Sequence, residues 1–310
     1  MILYIITNIS IMSVKLGIAP IAWSNDDMPE LGGDTSLETC LSEARQAGFT
    51  GIESGGKFPK TSKELLPILN KHNINLCSGW YGANLLKRSV KEEMENIRAQ
   101  LDLFKDCNAP CIVFAEVTNS IQADEKKPLS KRPKLDKDDW KKFCEKINEV
   151  GKRLNGENMP LAYHHHMGTV IQSHEDTERL MNETNDTVKL TIDTGHMLFA
   201  GGNSLKIIRD FKEKIAHVHC KDIREKVLNK SLSEDLSFRH AFLEGAFTVP
   251  GDGCIDYRPI FNELVKNNYQ GWLVVEAEQD PMKANPFEYA KIGFNYLKKT
   301  SSECGFEIIN

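Results

Sequence analysis

Histidines and carboxylates that could bind a metal ion recur at short intervals in the second half of the chain. Six of the nine histidines lie at 164–166, at 196, and at 217 and 219. Asp193 stands three residues before His196, and Glu276 and Glu278 follow later in the chain. Imidazole and carboxylate groups are typical ligands of first-row divalent ions. Each residue alone is more often a buried structural group, but the repeated combination of the two ligand types predicts a divalent metal site.

The elements that must position these residues alternate along the chain. Short apolar, β-branched runs predict strands at 15–19, 50–53, 75–79, 111–115, 160–163, 188–192, 215–218 and 272–275. Amphipathic stretches predict helices at 36–47, 62–71, 90–107, 137–154, 173–183, 204–212, 256–267 and 286–299. Ser36 is typical of a helix cap, and Gly48 follows the first helix where a left-handed residue is favoured.

Eight strand–helix pairs predict one parallel (β/α)8 TIM barrel over residues 15–300, with an N-terminal extension at 1–14 and a C-terminal tail at 301–310. A doubly wound sheet is the alternative, but no glycine-rich phosphate loop follows the first strand. In a TIM barrel the chemistry lies at the C-terminal ends of the strands. We therefore expect Glu53, Glu116 and the histidine and carboxylate groups to share one rim.

The alternation of side chains along a strand narrows the choice of ligands. His164 and His166 share one face and His165 lies on the other, so only one of these sets can point inward. His219 lies nearer the end of its strand than His217 and is the preferred ligand of the two. The predicted metal ligands are His164, Asp193, His219 and Glu276, and the choice between His164 and His166 stays open.

Two predicted connections are longer than the others. The connection at 116–136 is polar and basic, which is typical of a solvated loop. The connection at 222–256 follows the seventh strand on the side where active sites form, so it is a candidate lid.

The composition limits the classes of function. The chain has 310 residues, of which 40% are hydrophobic and 27% charged, as in a soluble globular enzyme. Its net charge of −5 argues against a nucleic-acid partner. We find neither the ~20 consecutive apolar residues of a membrane helix nor, in residues 1–12, the basic start of a secretory signal. The eight cysteines fit no zinc framework, and free thiols favour a cytoplasmic location.

Seven ordered motifs resemble those of the inosose dehydratases of inositol catabolism. They lie at residues 23–35, 78–81, 163–169, 193–196, 217–222, 249–253 and 271–281. This resemblance implies a xylose-isomerase-like barrel that dehydrates 2-keto-myo-inositol (scyllo-inosose) to a trihydroxycyclohexane-1,2-dione. It implies Mn²⁺ or Co²⁺ as the ion and associates glutathione with the activity. Wider relatives place a glutamate ligand on strand five, where this chain has His164.

The implied reaction assigns roles to the remaining polar residues. Dehydration of a β-hydroxy ketone needs a base for the proton α to the carbonyl, an acid for the departing hydroxyl, and stabilisation of the enolate between them. His196 is the preferred acid–base residue, with His166 and Glu278 as alternatives, and Lys221 or Lys57 could donate hydrogen bonds to the substrate. Residues expected to bind the substrate are Glu53, Lys57, Trp80, Glu116, Asp252 and Glu278.

Three other functions are compatible with such a barrel. A metal-dependent ketose or inosose isomerase or epimerase would use the same ligands and differ only in its product. An endonuclease would need more ligands and a basic groove, which the net charge disfavours. A binding protein without catalysis would bind the substrate but not convert it. The expected partner is a small cyclic polyol ketone, and homo-oligomerisation is left open.

Overall fold

The computed structural model describes residues 12–26 and 28–309, so most of the predicted 1–14 extension lies outside the described residues. Eight parallel strands of this part of the chain form a closed ring, because the last of them, at Gly271–Val275, pairs with the first, at Met12–Ile18. The ring confirms the predicted TIM barrel. The ring strands are β1 (Met12–Ile18), β2 (Gly51–Ser54), β3 (Asn75–Ala83), β4 (Ile112–Glu116), β5 (Leu161–His164), β6 (Val188–Asp193), β7 (Ile215–Cys220) and β10 (Gly271–Val275).

The long helices follow the predicted amphipathic stretches. Ser36 Oγ accepts the backbone N–H of Thr39 at 3.0 Å, and Gly48 ends the first helix at a φ of 117°. Both boundary predictions are therefore confirmed. These helices are α1 (Leu37–Ala47), α2 (Ser62–His72), α3 (Val90–Asp106), α4 (Lys137–Gly156), α5 (His174–Glu183), α7 (Ser204–Asp210), α10 (Tyr257–Lys266) and α11 (Pro286–Glu303).

Several short elements were not predicted. Helix α6 (Thr194–Phe199) starts directly after β6, and β11 (Phe306–Ile308) pairs with the first residues of β1. The sheet thus includes Met12 to Val14 and part of the 301–310 region, which the predicted domain boundaries leave outside the barrel. The 222–256 insertion contains the antiparallel pair β8 (Asp222–Ile223) and β9 (Phe247–Thr248), with α8 (Glu225–Ser233) and α9 (Phe238–Leu243).

An apolar layer fills the interior of the barrel below the candidate site. Trp272, Cys77 and Val274 pack together as a separate buried cluster. The Trp272 ring lies so close to Gly51 that a Cβ there would come within 2.2 Å of it, so this position accepts only glycine. Because the lower interior is packed, polar side chains can gather only toward the C-terminal rim.

The insertion and the 116–136 connection pack together beside that rim. Phe238, Phe247 and Leu129 belong to one buried cluster that is separate from the main core. Pro128 also forms a β-bridge with Ser237, which ties the two segments to each other. Among the described residues, no helix has both the length and the apolar character to cross a membrane.

Candidate active site

Four predicted ligands from four consecutive strands of the ring converge at the rim. One ligand atom from each of them lies within 4.8 Å of the others. His164 Nε2 is 3.1 Å from His219 Nδ1 and 3.5 Å from Asp193 Oδ2, and His219 Nδ1 contacts Glu276 Oε2. All four side chains are buried. Between His164 and His166, the structure brings His164 into this group.

Hydrogen bonds outside the group orient its members. Asp193 is the N-cap of α6, and its Oδ1 accepts the backbone N–H of His196 at 2.8 Å. Its second oxygen, Oδ2, is buried and has no hydrogen-bond partner among the described residues. The Nε2 atom of His219 lies 3.1 Å from Glu53 Oε1. A buried carboxylate oxygen without a donor is costly, so the arrangement fits a cation at the centre of the group.

The surrounding charges keep the carboxylates ionised. Burial favours the neutral form of Asp193, but the ammonium group of Lys221 outweighs it and holds the pKa of Asp193 well below its ordinary range. Burial acts on Glu276 in the same way, and His219 and Lys221 lower its pKa to about 2. Burial disfavours a charged His219, yet Glu276 and Glu53 raise the pKa of His219 well above its usual value. The pocket therefore strongly favours positive charge at this point.

A second cluster adjoins the first and contains the predicted acid–base residues. Lys221 Nζ lies 2.9 Å from His196 Nε2 and donates to Glu278 Oε2 at 2.6 Å and to Glu276 Oε1 at 3.1 Å. His196 Nε2 is 3.5 Å from Glu278 Oε2, and the rings of His166 and His196 lie 3.9 Å apart. The buried ammonium group of Lys221 links the two clusters and compensates their carboxylates.

The same cluster contains groups that can accept a proton and a group that can donate one. Burial and the neighbouring His166 and Lys221 lower the pKa of His196 well below its usual value, so its imidazole is neutral. Burial, His164 and Lys221 lower the pKa of His166 to about 3. Burial raises the pKa of Glu278 to about 7 although Lys221 opposes the shift. A neutral imidazole next to a carboxyl that titrates near neutrality is a typical acid–base arrangement.

An open cleft lies above both clusters. Its floor includes His219, Glu276 and Glu278, and Trp80 forms part of its wall. Trp80 is 37% exposed, and its ring centroid lies 5.4 Å from those of both His164 and His166. Ser24, Asp26 and Gln122 also line the cleft.

Three residues that we expected to bind the substrate do not line this cleft. Lys57 Nζ donates to the carbonyls of Gly32 and Gly33 at 3.0 and 2.8 Å and also to that of Thr35. The other two, Glu116 and Asp252, are engaged in their own loops. Lys57 thus stabilises the 32–35 turn.

Both carboxylates, Glu116 and Asp252, have structural partners. Glu116 is fully buried and accepts the backbone N–H groups of Leu85 at 2.6 Å and Thr118 at 2.9 Å. Asp252 accepts from Arg224 at 2.7 Å, within the insertion. The sequence places Glu116 after a predicted strand and Asp252 in the 222–256 connection, but it does not show the direction of either side chain.

Two features of the site were missed by sequence reasoning. Glu53 lines the cleft but also bonds two histidines of β7, His217 and His219, below it. Phe238 and Phe247 of the insertion pack on the His196 ring, with ring centroids 5.7 and 5.1 Å away. The predicted lid therefore contributes an apolar wall to the acid–base cluster.

Comparisons with known proteins match the barrel as a whole. The family model for the xylose isomerase-like TIM barrel matches residues 41–300. The rhizopine catabolism protein MocC of Rhizobium meliloti is 44% identical over 96% of this chain and 92% of its own. The inosose dehydratase of Geobacillus thermodenitrificans is 44% identical over 94% of this chain and 98% of its own. The crystal structure of IOLI protein with a binding zinc atom has a TM-score of 0.65 at 18% identity, covering 94% of this chain and 98% of that one.

Proposed function

The chain belongs to the inosose dehydratases of the xylose isomerase-like TIM barrel family, and we propose that it removes water from 2-keto-myo-inositol (scyllo-inosose) to give a trihydroxycyclohexane-1,2-dione. It is a hydro-lyase, as its curated dehydratase relatives at 42–44% identity indicate. The observation that carries the proposal is the four-residue ligand group placed directly beside the His196–Lys221–Glu278 cluster, with His219, Glu276 and Glu278 lining one cleft.

The ligand group fits a divalent transition ion. Two imidazoles and two carboxylates suit Mn²⁺ or Co²⁺, and the mixed nitrogen and oxygen set is less typical of Mg²⁺. His164, Asp193, His219 and Glu276 would hold the ion, each through the atom that already faces the common centre. When bound, the ion supplies Lewis-acid stabilisation of the negative charge that develops on the ketone oxygen of the substrate.

The residues of the second cluster move the protons. The Nε2 atom of His196 takes the proton from the carbon α to the ketone, and the electron pair of the broken C–H bond forms the carbon–carbon double bond. The β-hydroxyl leaves with the pair of its carbon–oxygen bond and takes a proton from Glu278, so that it departs as water. The resulting enol then tautomerises to the dione.

The geometry of the cluster also allows the starting protonation states of His196 and Glu278 to be restored after each turnover. His196 Nε2 and Glu278 Oε2 are 3.5 Å apart, and the ammonium group of Lys221 contacts both. The proton gained by His196 can therefore return to Glu278 directly or by exchange through Lys221. Trp80 presents an apolar face to the C–H edges of the substrate ring. His166 packs between Trp80 and His196 at the rim.

The state of the cysteines bears on the location of the enzyme. All eight cysteines are free thiols, as expected in the reducing cytoplasm where we place the enzyme. Glutathione is associated with the activity only by the family resemblance, so it is a variable of the turnover assay.

The test is a turnover assay with defined metal content. Protein loaded with Mn²⁺ or Co²⁺ is incubated with scyllo-inosose, with and without glutathione, and dione absorbance and product mass are followed. We expect a product lighter than the substrate by one water, and no turnover after chelator treatment. A product of unchanged mass would instead identify an isomerase or epimerase, and metal-independent water loss would refute the role of the ligand group.

A further inference from the structure

A third buried layer lies under the ligand group and consists of Glu53 and His217. Glu53 Oε1 accepts hydrogen bonds from His217 Nε2 at 2.9 Å and from His219 Nε2 at 3.1 Å. Glu53 is 6% exposed and His217 is completely buried. One carboxylate oxygen on β2 therefore connects two histidines of β7 across the interior of the barrel.

This contact determines which nitrogen of His219 faces the ligand group. A neutral imidazole has one N–H and one lone pair, and the hydrogen bond made by one nitrogen fixes the role of the other. The carboxylate of Glu53 is an acceptor, so it selects the proton on Nε2. With an ion bound, the hydrogen bond to Glu53 would keep the proton on Nε2. The lone pair that His219 offers to the ion would then be on Nδ1, the nitrogen that lies 3.6 Å from Asp193 Oδ2 and contacts Glu276 Oε2.

His217 in turn fixes Glu53. A buried carboxylate needs donors on its oxygens, and His217 supplies one without entering the ligand group. Because His217 lies two residues before His219 on the same strand, both imidazoles point to the same side and share the acceptor. The side chain of Glu53 is therefore held by its two histidine partners before any ligand enters the cleft.

We propose that Glu53, held by His217, is a positioning residue that makes Nδ1 of His219 the metal-binding atom and raises the affinity of the site for the ion. The inference rests on the metal site of the proposed function. It replaces the expected substrate-binding role of Glu53. Carboxylates that orient metal-binding histidines typically change metal affinity by about 10- to 100-fold when removed.

The first test measures Co²⁺ affinity by chelator competition in the full-length protein. Glu53→Gln keeps the size of the side chain but replaces the carboxylate with a neutral amide, which accepts more weakly and can also offer N–H groups to His219. We expect an affinity about 10- to 100-fold lower than that of the wild type. Glu116→Gln is the matched control, because Glu116 is also buried, at the end of β4, but its partners are Leu85 and Thr118 rather than histidines. It should retain wild-type affinity, whereas equal affinities in wild type and folded Glu53→Gln would overturn the inference.

A second measurement needs no variant of Glu53. In Zn²⁺-loaded wild-type protein with nitrogen-labelled histidine, NMR shows which ring nitrogen of His219 binds the metal. Metal on Nδ1 with a proton on Nε2 supports the inference, and metal on Nε2 overturns it.

A further variant separates this inference from the proposed function. Asp193→Asn should abolish tight binding of Co²⁺ and Zn²⁺, and a wild type that binds these ions no better than this variant would refute the metal site itself. If Asp193→Asn loses tight metal binding as expected while Glu53→Gln keeps the wild-type affinity, only the role of Glu53 is refuted.

Discussion

Replacing His196 with alanine should abolish turnover while leaving the metal site intact. The imidazole Nε2 lies 2.9 Å from Lys221 and 3.5 Å from Glu278, but no side-chain atom of His196 belongs to the four-residue ligand group. The contact between His196 and Asp193 is made by the backbone N–H, at 2.8 Å, and alanine keeps it. Loss of a positioned general base costs about 10²- to 10⁴-fold in rate, or roughly 3–5 kcal/mol in activation free energy.

The same substitution also removes packing, which the assay must separate from chemistry. His196 is completely buried against Phe238 and Phe247, so the alanine variant should lose about 2–5 kcal/mol of unfolding free energy, as in other large-to-small core substitutions. His196→Gln fills most of the space but cannot act as a base, and it should show the same rate loss with a smaller change in stability.

The assay combines kcat for dione formation, metal content by elemental analysis and a thermal melt for each variant. Turnover within tenfold of the wild type in a folded, metal-loaded His196→Gln protein would refute the acid–base assignment. Loss of bound metal along with turnover would show instead that His196 supports the ligand group.

Three further changes have defined outcomes. Asp193→Asn should lower Co²⁺ affinity by more than the roughly 100-fold that loss of an outer carboxylate costs, and binding within tenfold of the wild type in a chelator competition would contradict this. Lys221→Met should leave Glu276 and Glu278 without their buried counter-ion, which costs about 3–5 kcal/mol in unfolding free energy measured by denaturant titration, and an unchanged midpoint would argue against the ion network. Burial raises the pKa of the Glu116 carboxyl in the folded protein above its ordinary value of 4.5, so its contribution to stability is full below 4.5 and is lost as the pH rises through the raised pKa. Glu116→Gln should flatten this part of the pH–stability curve, and parallel curves for the two proteins would contradict the shift.

The sequence was sufficient to predict the barrel because each large element has a strong local pattern. Strands such as 188–192 and helices such as 137–154 differ from the structure by only one or two residues at their ends. The six-residue α6 and the three-residue β11 are too short for a periodic signal, and β11 exists only through its pairing with β1 at the other end of the chain.

The ligand group could be predicted from two properties of the strands. The position of a residue relative to the strand end determines its height in the barrel, and strand alternation determines whether its side chain points into the interior. Alternation along β7 places His217 and His219 on one face, and both indeed reach Glu53 in the interior. Loop residues carry no such rule. Lys57 and Asp252 follow strands or precede helices, yet their partners lie in neighbouring turns and in Arg224, which no local pattern indicates.

The most direct test is a crystal soaked in Mn²⁺ and measured for anomalous scattering. The account predicts one strong peak in contact with His164 Nε2, Asp193 Oδ2, His219 Nδ1 and Glu276 Oε2, at the shared centre of these atoms. A peak located instead among His166, His196 and Glu278, or no peak at all in a protein that still forms the dione, would contradict it.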